Sequence, residues 1–314
     1  MKKFILQLTF ISIISLAIIL FIISRADGYT DPFYIRFTTP KQQNMILGTS
    51  RAAQGLQPHV FEKILTKKIN NFAFTVAHSP FGKVYFESIK RKHNRKTDGL
   101  FIIAVDPWSL SSWCTSPNDL SQFRENKLCL NKTKIVDMNP NVFYILDNLS
   151  SKYSNILLKK NKSTFLHNDG WLEISNILMD SASVANRVSS KIETYRYTHL
   201  PKSNFSSTRL QYLIKTINYL KDFGVVYLVR LPIHEKMMEI EEDLIDDFNL
   251  KIKEAIDLSD GYLDMTPQNN LFDYTDGNHL YKNSGKKVSR IIANWITDNN
   301  KARTHNNIYE KQVK

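Results

Sequence analysis

The run from Phe4 to Ser24, FILQLTFISIISLAIILFIIS, carries no charged residue, and Lys2 and Lys3 stand directly before it. Crossing a hydrocarbon core takes a helix of about 20 mostly apolar residues, so residues 4–24 read as one membrane span. No small-x-small site stands out in Ser24-Arg25-Ala26-Asp27-Gly28, so the span reads as a retained anchor rather than a cleaved signal peptide. With two lysines before the span, and Asp27 and Asp31 soon after Arg25 beyond it, the positive-inside bias leaves residues 1–3 in the cytoplasm. The expectation is a single-pass protein of the cell membrane with its bulk exported, on the periplasmic or extracellular side.

Charge and cysteine content narrow the partners. Lys and Arg number 42 against 30 Asp and Glu, a formal net charge of +12. These cations are scattered, with clusters at Lys90–Lys96 and after Asn300, and aromatics do not alternate with them as on a nucleic-acid platform. Nucleic acid is therefore not an expected partner. The charge reads as solvated surface, which on a tethered domain also suits anionic lipid or an acidic polymer. Cys114 and Cys129 read either as one disulfide of an oxidising compartment or as two unrelated thiols. Two isolated cysteines lack the spacing of a zinc site, and no metal or cofactor is expected.

No repeat or long Gly/Ser linker divides the chain, so the expected organisation is a juxtamembrane linker at 25–41, one domain at 42–298 and a basic tail at 299–314. Within the domain, short apolar runs alternate with helical patterns. Met45-Ile46-Leu47 ends at Gly48-Thr49-Ser50, and a helical pattern starts after Pro58. Asn71–Val76 breaks at Ser79-Pro80 and leads into the helix-like GKVYFESIKRK. Leu100–Val105 is a continuous apolar strand of the buried parallel type, stopped by Asp106-Pro107. From about 109 to 207 the chain turns polar and irregular, apart from a helix expected at Asn141–Tyr153, and reads as an insertion over the sheet. Regularity returns with a capped helix from Ser206 to about Gly224, the strand VVYLVRL, a helix from Glu235 to Ile256, the strand Tyr262–Met265 and a last helix over Gly285–Thr297. This alternation predicts an α/β fold with a three-layer arrangement, a parallel sheet covered by helices on both faces.

In such sheets ligands bind beyond the carboxyl ends of the strands, so the residues just after each strand are the candidates. Ser50 follows the first strand at the approach to a helix, where its hydroxyl can act as nucleophile and its N–H can bind an oxyanion. Alone, it reads more readily as a helix cap than as a nucleophile. Asp276 and His279 share the loop before the last helix, where one short turn lets the carboxylate orient the imidazole. Arg51 and Arg230, each at a strand's carboxyl end, suit a carboxylate or phosphate of a substrate, or an ordinary salt bridge. Trp108, Trp113 and Trp171 suit stacking on a sugar ring or a packed lid. His78 reads as a loop residue.

Together these residues resemble the SGNH, or GDSL-type, hydrolase superfamily over nearly all of the exported part. Gly48-Thr49-Ser50-Arg51 matches the first block with its nucleophilic serine, with Thr49 where Asp is usual, and Asp276-Gly277-Asn278-His279 matches the last Asp-x-x-His block. The chain also looks like the membrane-anchored, exported branch linked to acylation of cell-envelope polymers. The resemblance implies an SGNH/flavodoxin-like fold and a Ser50–His279–Asp276 triad. For the oxyanion and substrate it points to Ser50, Ser79, Gly82, Asp106 and Ser109, with Arg51 and Arg230 beside them. The loop Ala77–Gly82 lies where the second block belongs, and Asp106-Pro107-Trp108-Ser109 replaces the third block's Gly-x-Asn-Asp. The implied activity is that of a serine esterase or O-acyltransferase acting on an acylated polysaccharide or lipid. The alternative is a non-catalytic accessory that binds envelope polymer or a membrane acyltransferase.

Overall fold

The computed structural model describes residues 1–149, 153–158 and 163–312, with side chains described to residue 301. The apolar run forms helix α1 (Lys2–Ser24), long and apolar enough to cross a membrane and exposed from Met1 to Phe21. At its far end Ile23 is buried in the domain core.

Five strands form one parallel sheet: β1 (Met45–Leu47), β2 (Asn70–Asn71), β3 (Gly99–Ala104), β4 (Gly224–Arg230) and β5 (Gly261–Asp264). Their order across the sheet is β2-β1-β3-β4-β5. The chain therefore reverses its winding between β1 and β3, which opens a crevice at their carboxyl ends. Register aligns Ile46 with Ile102, Ile102 with Tyr227 and Tyr227 with Gly261. All of β1 and β3 is buried, as a central parallel strand requires, which is why these segments are uninterrupted apolar runs. β2 is shorter than the expected Asn71–Val76. Even so, the Phe72 and Phe74 N–H groups still donate to the Ile46 and Gly48 carbonyls, so the extended path continues along β1.

Helices flank the sheet in two groups. One contains α2 (Ser50–Gly55) and α3 (Pro58–Leu65), packed with the C-terminal helix Lys282–Gln312. The other contains α4 (Lys83–Lys92), packed with Ser207–Lys221, which in turn packs on Lys253–Leu258. The C-terminal helix begins before the expected Gly285 and runs past 298 into the basic tail, burying Val288, Ile292, Ala293 and Ile296. The basic side chains of the tail from residue 302 lie outside the described residues.

Three expectations need correction. Residues 25–41 are part of the domain rather than a linker: Tyr34 and Phe37 are fully buried, and the Arg36 guanidinium donates to the carbonyls of Pro32, Asn71 and Gly170. The helix expected over Glu235–Ile256 is three shorter ones. It stops after Leu244 because Ile245 turns extended to bury its side chain and Asp247 adopts a left-handed φ of 43°, capping the next turn through the Leu250 N–H. The insertion is also more regular than its composition suggested. It holds α5 (Ser181–Thr194), capped by Asp180 accepting from the Ser183 N–H, and two short antiparallel pairs, 111–112 with 204–205 and 164–166 with 172–174. The helix expected at Asn141–Tyr153 spans Val142–Asn148; residues 150–152 lie outside the described ones. Both cysteines are free thiols, Cys114 half-buried and Cys129 buried.

Candidate active site

The site forms where β1 ends. Gly48 has a φ of 141°, and a Cβ there would come within 3.0 Å of the Ala104 carbonyl oxygen, so only glycine permits this turn against β3. The turn is held from outside by the Tyr85 hydroxyl, which accepts from the Gly48 N–H at 3.0 Å, and by the Ser79 hydroxyl, which donates to the Gly48 carbonyl at 2.7 Å. Thr49 is the N-cap of α2, and Ser50 is its first residue. As the first residue of a helix, Ser50 has an N–H with no intrahelical acceptor.

The loop between Tyr274 and Leu280 supplies the other half. Gly277 takes a φ of 83°, which lets the chain turn tightly enough for Asp276 Oδ1 to accept from the backbone N–H groups of Asn278 and His279, each at 3.0 Å. The same carboxylate lies 3.0 Å from His279 Nδ1. On the opposite side of the ring, His279 Nε2 is 2.8 Å from Ser50 Oγ. An ionised carboxylate only accepts, so Nδ1 carries the ring proton and Nε2 is left to accept from the serine hydroxyl.

Electrostatics reinforce that assignment. Burial by itself raises the Asp276 carboxyl, but the adjacent His279 and an ion pair with Lys191 Nζ at 3.0 Å outweigh it and hold Asp276 far below the usual carboxylate range. Lys191 lies on α5, one turn after Arg187, whose Nε donates to the Thr275 carbonyl at 2.7 Å. Val188, between them, packs over Gly277. A helix of the insertion is thus the outer support of the Asp276–His279 loop. Sequence reasoning missed it, although Asp180 followed by Val184, Val188 and Ile192 at four-residue spacing is a helix signal.

The remaining expected site residues sit elsewhere or serve the fold. Arg51 and Arg230 do not face a substrate. Both are buried with Glu241 between them: Arg51 Nη2 lies 2.6 Å from Glu241 Oε1, and Arg230 Nη2 lies 3.4 Å from Oε2. A buried charge must be paired, and Glu241 on the helix Glu235–Leu244 provides the partner. Arg51 also donates twice to Asn278 Oδ1, at 2.6 and 3.0 Å, which ties the Ser50 helix to the His279 loop. Asp106 and Ser109 cap each other: the Ser109 N–H donates to Asp106 Oδ1 at 2.8 Å, and the Asp106 N–H donates to Ser109 Oγ at 3.1 Å. Asp106 Oδ2 accepts from the Thr49 hydroxyl at 3.1 Å. Ser79 is fully buried under Gly48. Gly82 starts α4, and a Cβ there would be 2.9 Å from Glu125, which is paired with Arg209. His78 is a loop residue, 2.7 Å from the Thr75 hydroxyl and tilted against the Phe33 ring, and burial lowers its imidazole to about 4.

The structure therefore joins Ser50, His279 and Asp276 from opposite ends of the chain in a nucleophile–base–orienter arrangement. It commits the side chains of Ser79, Asp106, Ser109, Arg51 and Arg230 to internal partners, and places Gly82 at the start of α4. Among the described residues, no group of three or more His, Cys, Asp or Glu could hold a metal ion. The sequence matches no protein-family model and no curated protein.

Proposed function

We propose that this chain is an SGNH-like domain, held on the exported face of a membrane by α1, that acts as a serine esterase or acyltransferase on an acylated envelope carbohydrate or lipid. The observation that carries the reading is the chain of contacts from Ser50 Oγ to His279 Nε2 at 2.8 Å and from His279 Nδ1 to Asp276 at 3.0 Å. Support also comes from the five-stranded parallel sheet, whose carboxyl edge is where this superfamily keeps its site.

In this mechanism Ser50 Oγ attacks the ester carbonyl while His279 Nε2 takes its proton. His279 returns that proton to the leaving alcohol as the tetrahedral intermediate collapses to an acyl-serine. Asp276 holds the ring tautomer and stabilises the imidazolium throughout. Water then accepts the acyl group in hydrolysis, or a sugar hydroxyl accepts it in transfer. The Ser50 N–H is the oxyanion donor already at the reacting atom.

One observation favours the non-catalytic alternative. The loop that would supply the third oxyanion donor, Asp106–Ser109, has its side chains bonded to each other and to Thr49. A fluorophosphonate probe separates the two readings on the full chain in detergent. The esterase reading expects labelling of the wild type and none of Ser50→Ala or His279→Ala. A folded wild type that does not label supports the accessory role instead.

A further inference from the structure

A cavity of about 390 Å³ lies on the same edge of the sheet as the triad, roofed by the insertion and lined by Trp108, Trp113, Tyr195, His199 and Arg124 among others. It adjoins the site through two residues. The Tyr195 hydroxyl accepts from Asn278 Nδ2, beside His279, at 3.4 Å, and Trp108 follows Asp106, which holds the threonine preceding Ser50. The aromatic walls are rigidly built. Trp108 and Tyr195 meet edge to face at 4.8 Å, and Trp113 and His199 stack at 4.6 Å.

The charge in this cavity is one-sided. Arg209 also lines it, but its guanidinium is paired with Glu125 at 2.8 Å. Arg124 lies over the Trp113 ring at 4.4 Å and has no ion pair among the described residues. It is the cavity's guanidinium without an ion-pair contact, and it lies on an aromatic face. Burial, with Arg124, Lys191 and Lys202 nearby, lowers the His199 imidazole below its usual value, so that ring stays neutral beside the cation. The Trp108 indole N–H is buried in the same wall without a partner among the described residues, an unused donor of the kind that needs explaining.

Aromatic walls pack against the apolar C–H surface of a pyranose ring, whereas a guanidinium without an ion pair takes a carboxylate or phosphate. We infer that this cavity binds a sugar unit bearing an anionic group, so that the carbohydrate presented to Ser50 is an acidic one. The inference rests on the esterase or acyltransferase reading for its purpose, but not for the binding itself.

Ligand-observed NMR titration of the full chain in nanodiscs, run in parallel on wild type and Ser50→Ala, tests it. The probes are glucose, glucuronate, glucose 6-phosphate, acetate and inorganic phosphate. At low ionic strength, glucuronate or glucose 6-phosphate is expected to bind at least tenfold tighter than glucose, and whichever is tighter identifies the anionic group as carboxylate or phosphate. Each should also bind tighter than its bare ion. Arg124→Gln should remove the preference over glucose, Arg124→Lys should restore most of it, and Trp113→Ala should weaken both charged and neutral sugars. Equal binding of charged and neutral sugars, a preference that survives Arg124→Gln, or acetate and phosphate binding as well as the sugars overturns the proposal. Because Ser50→Ala binds normally under this proposal, failure of the triad to label and failure of the cavity to discriminate are separate results.

Discussion

Two aspartates stand beyond carboxyl ends of the same parallel sheet, and they do opposite things. Asp106, after β3, accepts from the Ser109 N–H and the Thr49 hydroxyl, so its oxygens hold one loop to another. Asp276, in the loop after β5, likewise accepts from backbone N–H groups, at Asn278 and His279, but it also faces an imidazole and a lysine. One carboxylate completes a fold and the other orients a ring that reaches Ser50. Position at the sheet edge is shared, so it does not by itself make a site residue. The difference lies in what the loop brings within reach of the second oxygen.

The largest expected effect sharpens this contrast at the proposed nucleophile: Ser50→Ala should lower turnover of p-nitrophenyl acetate on the order of 10⁶-fold, with the melting temperature nearly unchanged. Asp276→Asn should cost about 10⁴-fold through the wrong imidazole tautomer. Asp106→Asn should stay within about tenfold, because its role is to hold the loop. Equal losses for the two aspartates in the same assay would break the comparison.

Next comes Glu241. Truncation to Ala leaves the Arg51 and Arg230 guanidiniums buried without their common partner, so urea denaturation should show a loss of about 3–5 kcal/mol. A loss under about 1 kcal/mol would mean that solvent reaches the pair. By the same measurement, Asp106→Ala should cost about 1–2 kcal/mol, the value of a helix cap.

The pH dependence is a subtler contrast. Asp276 is held below its ordinary value in the folded state, so its charged form adds stability above the unfolded carboxylate range, and this is lost as pH falls through and below about 4. The melting-temperature gap between wild type and Asp276→Asn should be widest near neutral pH and close toward pH 2. A gap that widens on acidification contradicts the ion pairing around Asp276. The smallest effect belongs to Lys191→Ala. The lysine side chain is 32% exposed, so the pair is worth up to about 1 kcal/mol and fluorophosphonate labelling should slow by no more than about fivefold.

The strands and the triad were legible in the sequence for different reasons. β1 and β3 are central and buried, so no polar residue interrupts them, and a continuous apolar run marks such a strand without any tertiary knowledge. Asp276 and His279 were legible because their relation is local, a turn of four residues with glycine inside it. The Ser79 hydroxyl was not legible as a fold contact, because a loop in the right place says nothing about which way its hydroxyl points. Ser79 bonds backward to Gly48. For Arg51 and Arg230 the sequence left a substrate anion and an ordinary salt bridge equally open, because Glu241, the partner that makes it a salt bridge, lies on a third element that neither strand announces.

What the sequence determined alone is the apolar α1, the alternation of buried strands with amphipathic helices, and the short-range turn chemistry around Gly48 and Gly277. These follow from periodicity and backbone sterics, which act over a few residues. Only the tertiary structure decided that Ser50 lies 2.8 Å from a histidine near the other end of the chain, that Glu241 pairs with two arginines, and that Lys191 on the insertion helix reaches Asp276. Each of these is a meeting of polar groups far apart in sequence. Burial and charge pairing set such meetings, and they act only once the sheet has brought the loops together.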